Sequence, residues 1–250
     1  MAPSTPDGGS IRDDVTDSRS PGAPDPLREA ADVMRAVRDR CVWTQQIDHR
    51  ALVPYLVEES AELIDAVESG SRAELREELG DLLWQVLFHA EIAARDPDDP
   101  FDIDDVARGL TDKMVRRHPH VFGDDVATTP EEVLVLWNAA KAAEKHTRTS
   151  VLDGVSHHMP SLALAQKLLG KAASLAVPVV ERAGSPIVER AGRDETPAPA
   201  SEAELGDALL ALVATARANG WDAERALRER LRVLEADIRA AEADARDGAS

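Results

Sequence analysis

The sequence has one cysteine, Cys41, and only 3 % aromatic residues among its 250. A single thiol excludes an intramolecular disulfide and a zinc site built from several cysteines. A basic surplus is also missing: 29 Lys and Arg stand against 47 Asp and Glu, for a formal net charge of −18. A protein that coats nucleic acid by neutralising phosphates needs the opposite balance. No nucleic-acid partner is expected, and any polyanion must be met locally or through a metal. Charges interrupt every apolar stretch well short of the roughly 20 residues of a spanning helix, and no positive-then-apolar leader opens the sequence. The expectation is a soluble, cytoplasmic protein with no membrane partner. Strand-forming patterns are nearly absent. The 43 % apolar content is largely Ala, Leu and Val interleaved with Glu and Arg, the composition of packed helices.

Residues 1–24 are Pro, Gly, Ser and Asp with almost nothing to bury, which predicts a disordered tail. Asp25-Pro26 then supplies an N-cap and a first-turn proline, followed by Leu27, Ala30, Met34, Val37 and Cys41 at helical spacing. Leu52, Val53, Leu56, Leu63, Ile64 and Val67 fall on one arc of a second helix that stops at Gly70. Ser71 with Glu74 makes a capping box for a third, whose stripe includes Leu75, Leu79, Leu82, Leu83, Val86 and Leu87. So short a connection makes these two helices antiparallel neighbours. A fourth, about 102–117, has Asp102, Asp104 and Asp105 in its first turn and Arg116 and Arg117 in its last, matching the helix dipole. Thr129-Pro130-Glu131-Glu132 opens a fifth, through Trp137 to about 145. Further helical stretches cover about 161–176, 202–218 and 222–246. Between them, the Pro-, Gly- and Ala-rich segment 178–201 repeats Val-Glu-Arg-Ala-Gly at 180–184 and 188–192, as a linker or decayed element would. Glu78-Leu79-Gly80-Asp81 reappears as Glu204-Leu205-Gly206-Asp207, which suggests an ancient duplication.

Glu59 and Glu62 lie three apart on the second helix, and Glu78 and Asp81 repeat that spacing on the third. Residues three apart are neighbours on a helix surface, so two antiparallel helices can bring four carboxylates together. Such oxygen-only sets suit Mg²⁺ or Mn²⁺, hard cations that bridge to phosphate oxygens. A glutamate-rich face can equally be a solvated surface, and the angular position of these acids opposite the apolar stripes fits both. Charge balance sets the region apart. No Lys or Arg lies from Glu58 to Asp65, while Glu58 with Glu62 and Glu77 with Asp81 are like-charge pairs, each costing about 0.2–0.5 kcal/mol. The closing helix instead alternates sign in Glu224 with Arg228, Glu235 with Arg239 and Glu242 with Arg246. An unneutralised anionic cluster is what a bound divalent cation would repair. Di-iron chemistry is disfavoured because the sequence contains no Glu-x-x-His. His118-Pro119-His120, without a nearby cysteine, reads as a turn rather than a zinc site.

The segment Glu58-Glu59-x-x-Glu62, followed by Glu78-x-x-Asp81, resembles the EExxE…ExxD signature of the all-α nucleoside triphosphate pyrophosphohydrolases. Arg116-Arg117-His118-Pro119-His120-Val121-Phe122 resembles the MazG branch, as do Cys41-x-Trp43, Trp137 with Lys141 and Lys145, and Ser150-Val151-Leu152-Asp153-Gly154-Val155. The likeness covers about 27–175 well and 200–246 loosely. It implies an all-α, MazG-like helical bundle with a second, degenerate helical repeat. The implied organisation is a tail (1–24), a catalytic domain (25–126), a helical connector (127–177), a linker (178–201) and a degenerate half-repeat (202–250). The implied activity is hydrolysis of nucleoside triphosphates, noncanonical ones included, to monophosphate and pyrophosphate, as house-cleaning of the nucleotide pool.

By the same resemblance, Mg²⁺ or Mn²⁺ is the cofactor and the protein is a homodimer. Glu59, Glu62, Glu78 and Asp81 are the implied metal ligands, and Glu58 the implied aid to a second metal or to the attacking water. Lys113 and Arg117, one turn apart, are implied triphosphate contacts, and Trp43 an implied base contact. A basic last turn answering the helix dipole accounts for Lys113 and Arg117 equally well. Two positions depart from the family pattern: Val42 stands where proline is usual, and Thr44 where aspartate is common. The second repeat keeps Glu204 and Asp207 but has no EExxE upstream, only Glu181 and Glu189, so it is expected to be catalytically silent. The alternative function is a catalytically weak helical protein that senses nucleotide or metal.

Overall fold

The computed structural model describes residues 25–144, 148–175 and 199–247. The expected tail 1–24, residues 178–198 of the expected linker with both copies of its pentapeptide, and Lys145 lie outside the described residues. Among those described, nine α-helices and no strand are found. Two compact units divide the chain, Met1–His146 and Thr147–Ser250. The first contains α1 (Pro26–Arg40), a 3₁₀ turn (Thr44–Gln46), α2 (His49–Glu68), α3 (Arg72–Ala93), α4 (Ile103–Arg117), α5 (Pro119–Phe122) and α6 (Pro130–Glu144). The second contains α7 (Ser161–Ser174), α8 (Glu202–Ala218) and α9 (Ala223–Asp247). The stretch 127–177 thus contributes one helix to each unit.

Local chemistry sets the helix ends. The Asp25 carboxylate accepts from the Leu27 backbone N–H at 3.0 Å and opens α1. The Asp48 carboxylate accepts from that of Ala51 at 2.8 Å, so α2 begins before its first apolar position, Leu52, and runs through Pro54. Near the helix start, the missing proline N–H costs a single early bond. At the other end the Gly70 N–H donates to the carbonyls of Asp65 (3.1 Å) and Ala66 (3.2 Å). A Cβ at Gly70 would meet the Ala66 Cα at 2.7 Å, so only glycine permits this reversal. The capping box then closes in both directions: the Glu74 N–H donates to Ser71 Oγ (3.2 Å), and the Ser71 N–H to Glu74 Oε2 (2.5 Å). The consequence is a tight antiparallel α2–α3 pair, the most extensive helix packing in the first unit.

The core of that unit is Ala31 and Met34 from α1, Leu52 from α2, and Leu87 and Phe88 from α3, with Ile47, Leu83, Trp84, Ile92 and Ile103 packed against it. Full burial of a side chain the size of Phe88 contributes about 1.5–3 kcal/mol. Charged ties hold the periphery. Arg95 spans Asp39 (2.6 Å) on α1 and the buried Glu91 (2.8 Å) on α3, and Arg28 on α1 reaches Asp104 on α4 at 2.6 Å. In the second unit Val213 and Leu169 are buried. Gln166 on α7 donates to the Trp221 carbonyl and accepts from the Ala223 N–H, both at 2.9 Å, which pins the start of α9. No helix among the described residues is long and apolar enough to cross a membrane.

Candidate active site

Antiparallel packing of α2 on α3 decides which acids meet. Glu59 on α2 and Glu78 and Asp81 on α3 each offer an oxygen, and the three lie within 4.8 Å of one another. Among the described residues this is the one such group of three or more Asp, Glu, His or Cys side chains. Glu62 stands beside it rather than in it: with Glu78, Asp65 and Glu74 it lines an open depression of ≈ 260 Å³. Glu58 is exposed next to Glu59.

Physics makes this cluster expensive as it stands. One oxygen of Glu78, Oε2, is buried without a hydrogen-bond partner. Unsatisfied buried acceptors carry their full desolvation cost. Partial burial, followed by the charges of Asp81, Glu62, Glu78 and Glu58, holds the Glu59 carboxyl above the ordinary glutamate range. Burial also raises Glu78, with Glu62 and Asp81 as its next causes. Both shifts come first from burial and then from the crowding of like charges. A cluster made only of carboxylates, in which Glu78 also keeps a buried, idle oxygen, fits a hard divalent cation.

The remaining expected residues lie on other elements of the unit. Lys113 is half-buried on α4. Arg117, one turn on, is committed: its Nη2 donates to Glu144 Oε2 at 2.6 Å and its Nε at 3.1 Å, and its guanidinium lies 5.0 Å from the Trp137 ring centroid. Only 12 % of its side chain is exposed. Glu144 on α6 was not a sequence candidate, though Trp137, Lys141 and Glu144 share one helical face, a signal that could have raised it. Trp43 keeps 45 % exposure and meets Tyr55 and Phe88 edge-on, at 6.1 and 6.3 Å between centroids.

Two further features escape sequence reasoning. His49 and His89 face each other Nδ1 to Nδ1 at 2.8 Å, tying the start of α2 to α3. Their separation of 40 residues leaves no local signal. Gln85 is 0 % exposed with neither amide atom hydrogen-bonded. Its sequence trace is the lone polar residue in the run Leu82-Leu83-Trp84-Gln85-Val86-Leu87-Phe88.

The echo in the second unit is used differently. Glu204 is the third residue of α8, and its carboxylate accepts from the Ala200 N–H at 2.8 Å, so it caps the helix start. Glu78 lies two turns inside α3, where no orphan N–H competes for it.

Residues 47–122, which contain the four acids, Lys113 and Arg117, match the MazG nucleotide pyrophosphohydrolase domain. The chain is 46 % identical over 217 residues to an uncharacterized 26.1 kDa protein of Streptomyces cacaoi, a match covering 86 % of this chain and 82 % of that one. It is 35 % identical over 211 residues to the nucleoside triphosphate pyrophosphohydrolase of Escherichia coli K12, covering 79 % and 80 %. With the nucleoside triphosphate pyrophosphohydrolase of Mycobacterium tuberculosis it shares 47 % identity over 152 residues, or 61 % of this chain and 46 % of that one. It spans about half the length of that last relative.

Proposed function

Because the chain belongs to the MazG family of nucleoside triphosphate pyrophosphohydrolases, we propose that it hydrolyses nucleoside triphosphates between the α and β phosphates, releasing a monophosphate and pyrophosphate. The supporting observation is the meeting of Glu59, Glu78 and Asp81, with one oxygen of Glu78 buried and idle. In this reading those three acids, with Glu62 at the margin, hold Mg²⁺ or Mn²⁺. When bound, such a cation neutralises phosphate charge and acidifies a coordinated water. Without it, the acids would repel a triphosphate.

The chain's own groups divide the remaining work. In this reading Glu58, exposed beside Glu59, accepts the proton of an attacking water. Lys113 and Arg117 stabilise charge on the departing pyrophosphate. For Arg117 to do so, phosphate has to displace Glu144 from its guanidinium. Trp43 offers a partly exposed ring to a base. Val53, Val57, Ile64 and Val67 on α2, with Leu79 and Val86 on α3, leave an exposed apolar row at spacings of three, four and seven. Such a row is what a second copy would cover, so the proposed assembly is a homodimer. The proposed compartment is the cytoplasm, with no nucleic-acid or membrane partner.

The test is product identity. The purified protein is incubated with Mg²⁺ and a panel of ordinary and noncanonical triphosphates, and the products are resolved. Monophosphate with pyrophosphate is expected; orthophosphate refutes the reading. Tight binding with no turnover would instead identify a nucleotide sensor.

A further inference from the structure

Gln85 occupies an unusual place. It lies one helical turn beyond Asp81 on α3, about 6 Å along the axis at 1.5 Å per residue. It is completely buried, yet both its Oε1 and its Nε2 lack a hydrogen-bond partner. An amide with two idle ends inside a protein is costly and rare, and each such group calls for an explanation. It is not isolated. Arg38 Nη1 is also buried and unpartnered, and the Arg38 guanidinium lies 5.7 Å from the ring centroid of Phe88, three residues after Gln85.

The two directions along α3 from the acids differ. Toward its start stand Arg72, Arg76 and Glu74, the last engaged in the helix cap. Toward its end Gln85 lies between Trp84 and Phe88, which belong to an aromatic group: Phe88 meets Trp84 at 5.1 Å and Trp43 at 6.3 Å, and Trp43 meets Tyr55 at 6.1 Å. Trp43 and Tyr55 are 45 % and 39 % exposed, and aromatic residues open to solvent are groups on which a base can stack. A nucleotide presents phosphate, sugar and base in that order. With phosphates at the acids and the base at the aromatics, the sugar falls beside Gln85. A sugar hydroxyl both donates and accepts, and a glutamine amide supplies one partner of each kind.

Resting on the function proposed above, we infer that Gln85 reads the ribose hydroxyls of the substrate and sets the preference between ribo- and deoxyribonucleotides. A site built to hydrogen-bond a hydroxyl rejects the analogue lacking it far more strongly than an apolar pocket rejects an added group. Since no part of Gln85 is exposed, contact requires the side chains over it to shift on binding.

The experiment uses the full chain with Mg²⁺ and non-hydrolysable α,β-methylene triphosphates of adenosine, 2′-deoxyadenosine and 3′-deoxyadenosine, with Kd measured by calorimetry. The wild type is expected to distinguish at least one deoxy form from the ribo form by about tenfold, the scale of one hydrogen bond. Gln85→Met, or Gln85→Leu as a second variant, is expected to bring that ratio close to one. Its Tm should hold or rise, because an idle buried amide has been replaced by an apolar side chain. Wild-type affinities equal within about twofold across the three sugars, or a ratio that survives in the folded variants, overturns the inference alone. Failure to bind any of the three overturns the functional reading and this inference with it.

Discussion

Neutralising Glu59 separates a metal-binding cluster from a merely acidic surface, because the two predict opposite signs. In Glu59→Gln, one of three carboxylates whose oxygens lie within 4.8 Å loses its charge while keeping its shape. Two like unit charges at that separation repel by about 0.9 kcal/mol in bulk water. Glu59 faces two such charges, so the relief is on the order of 1–2 kcal/mol, less whatever salt screens. Most substitutions destabilise; this one is expected to raise the Tm of the metal-free protein by a few degrees. The cation reverses the order. At about a hundred times its Kd, a ligand that binds only the folded state adds about 2.7 kcal/mol. The wild type should gain that increment, and the variant should lose most of it. Melting both proteins by circular dichroism, with and without Mg²⁺, therefore yields crossed curves: the variant melts higher without metal and lower with it. A variant that melts lower in both conditions, or that keeps the full Mg²⁺ increment, refutes the assignment of Glu59.

Three more outcomes follow from the same geometry. Glu59 and Glu78 both titrate above their ordinary value in the folded protein, so the fold binds their protons more tightly than the unfolded chain does. Their contribution to stability therefore falls as pH rises through that window, is fully unfavourable above the folded-state value and disappears below the ordinary glutamate value. The Tm gap between Glu59→Gln and the metal-free wild type should accordingly narrow as pH is lowered, and a gap that widens contradicts the shift. Glu144→Gln removes the carboxylate that Arg117 has to leave, so it should lower KM for triphosphate; a raised KM would make Glu144 the group that positions Arg117 for substrate. Replacing Glu204 and Asp207 together with alanine should leave turnover nearly intact, because Glu204 serves the start of α8, and a large loss would place the second unit in the reaction.

The parts of this protein written in short-range spacing were open to reading. Asp25, Gly70 and the Ser71/Glu74 box act within five residues of the groups they bond, so helix ends follow from local donors and acceptors. The i,i+3 acid pairs and the tight α2–α3 reversal were equally local, and of the four acids they named the fold brings Glu59, Glu78 and Asp81 to one place, with Glu62 beside them. The start of α2 was harder, since the apolar arc begins at Leu52 while the cap is Asp48, one turn earlier.

Composition and spacing by themselves determined the helical class, the α2–α3 hairpin and the two acidic faces. Tertiary packing alone decided that Glu78 would bury an oxygen without a partner while Glu62 stood aside. It alone gave Arg117 to Glu144, 27 residues away, set His49 against His89, and sealed Gln85 with both ends of its amide idle. The reason is physical: a cap or an i,i+3 pair is satisfied within one or two helical turns, whereas burial and competition for a charged partner depend on which faces of rigid helices come together.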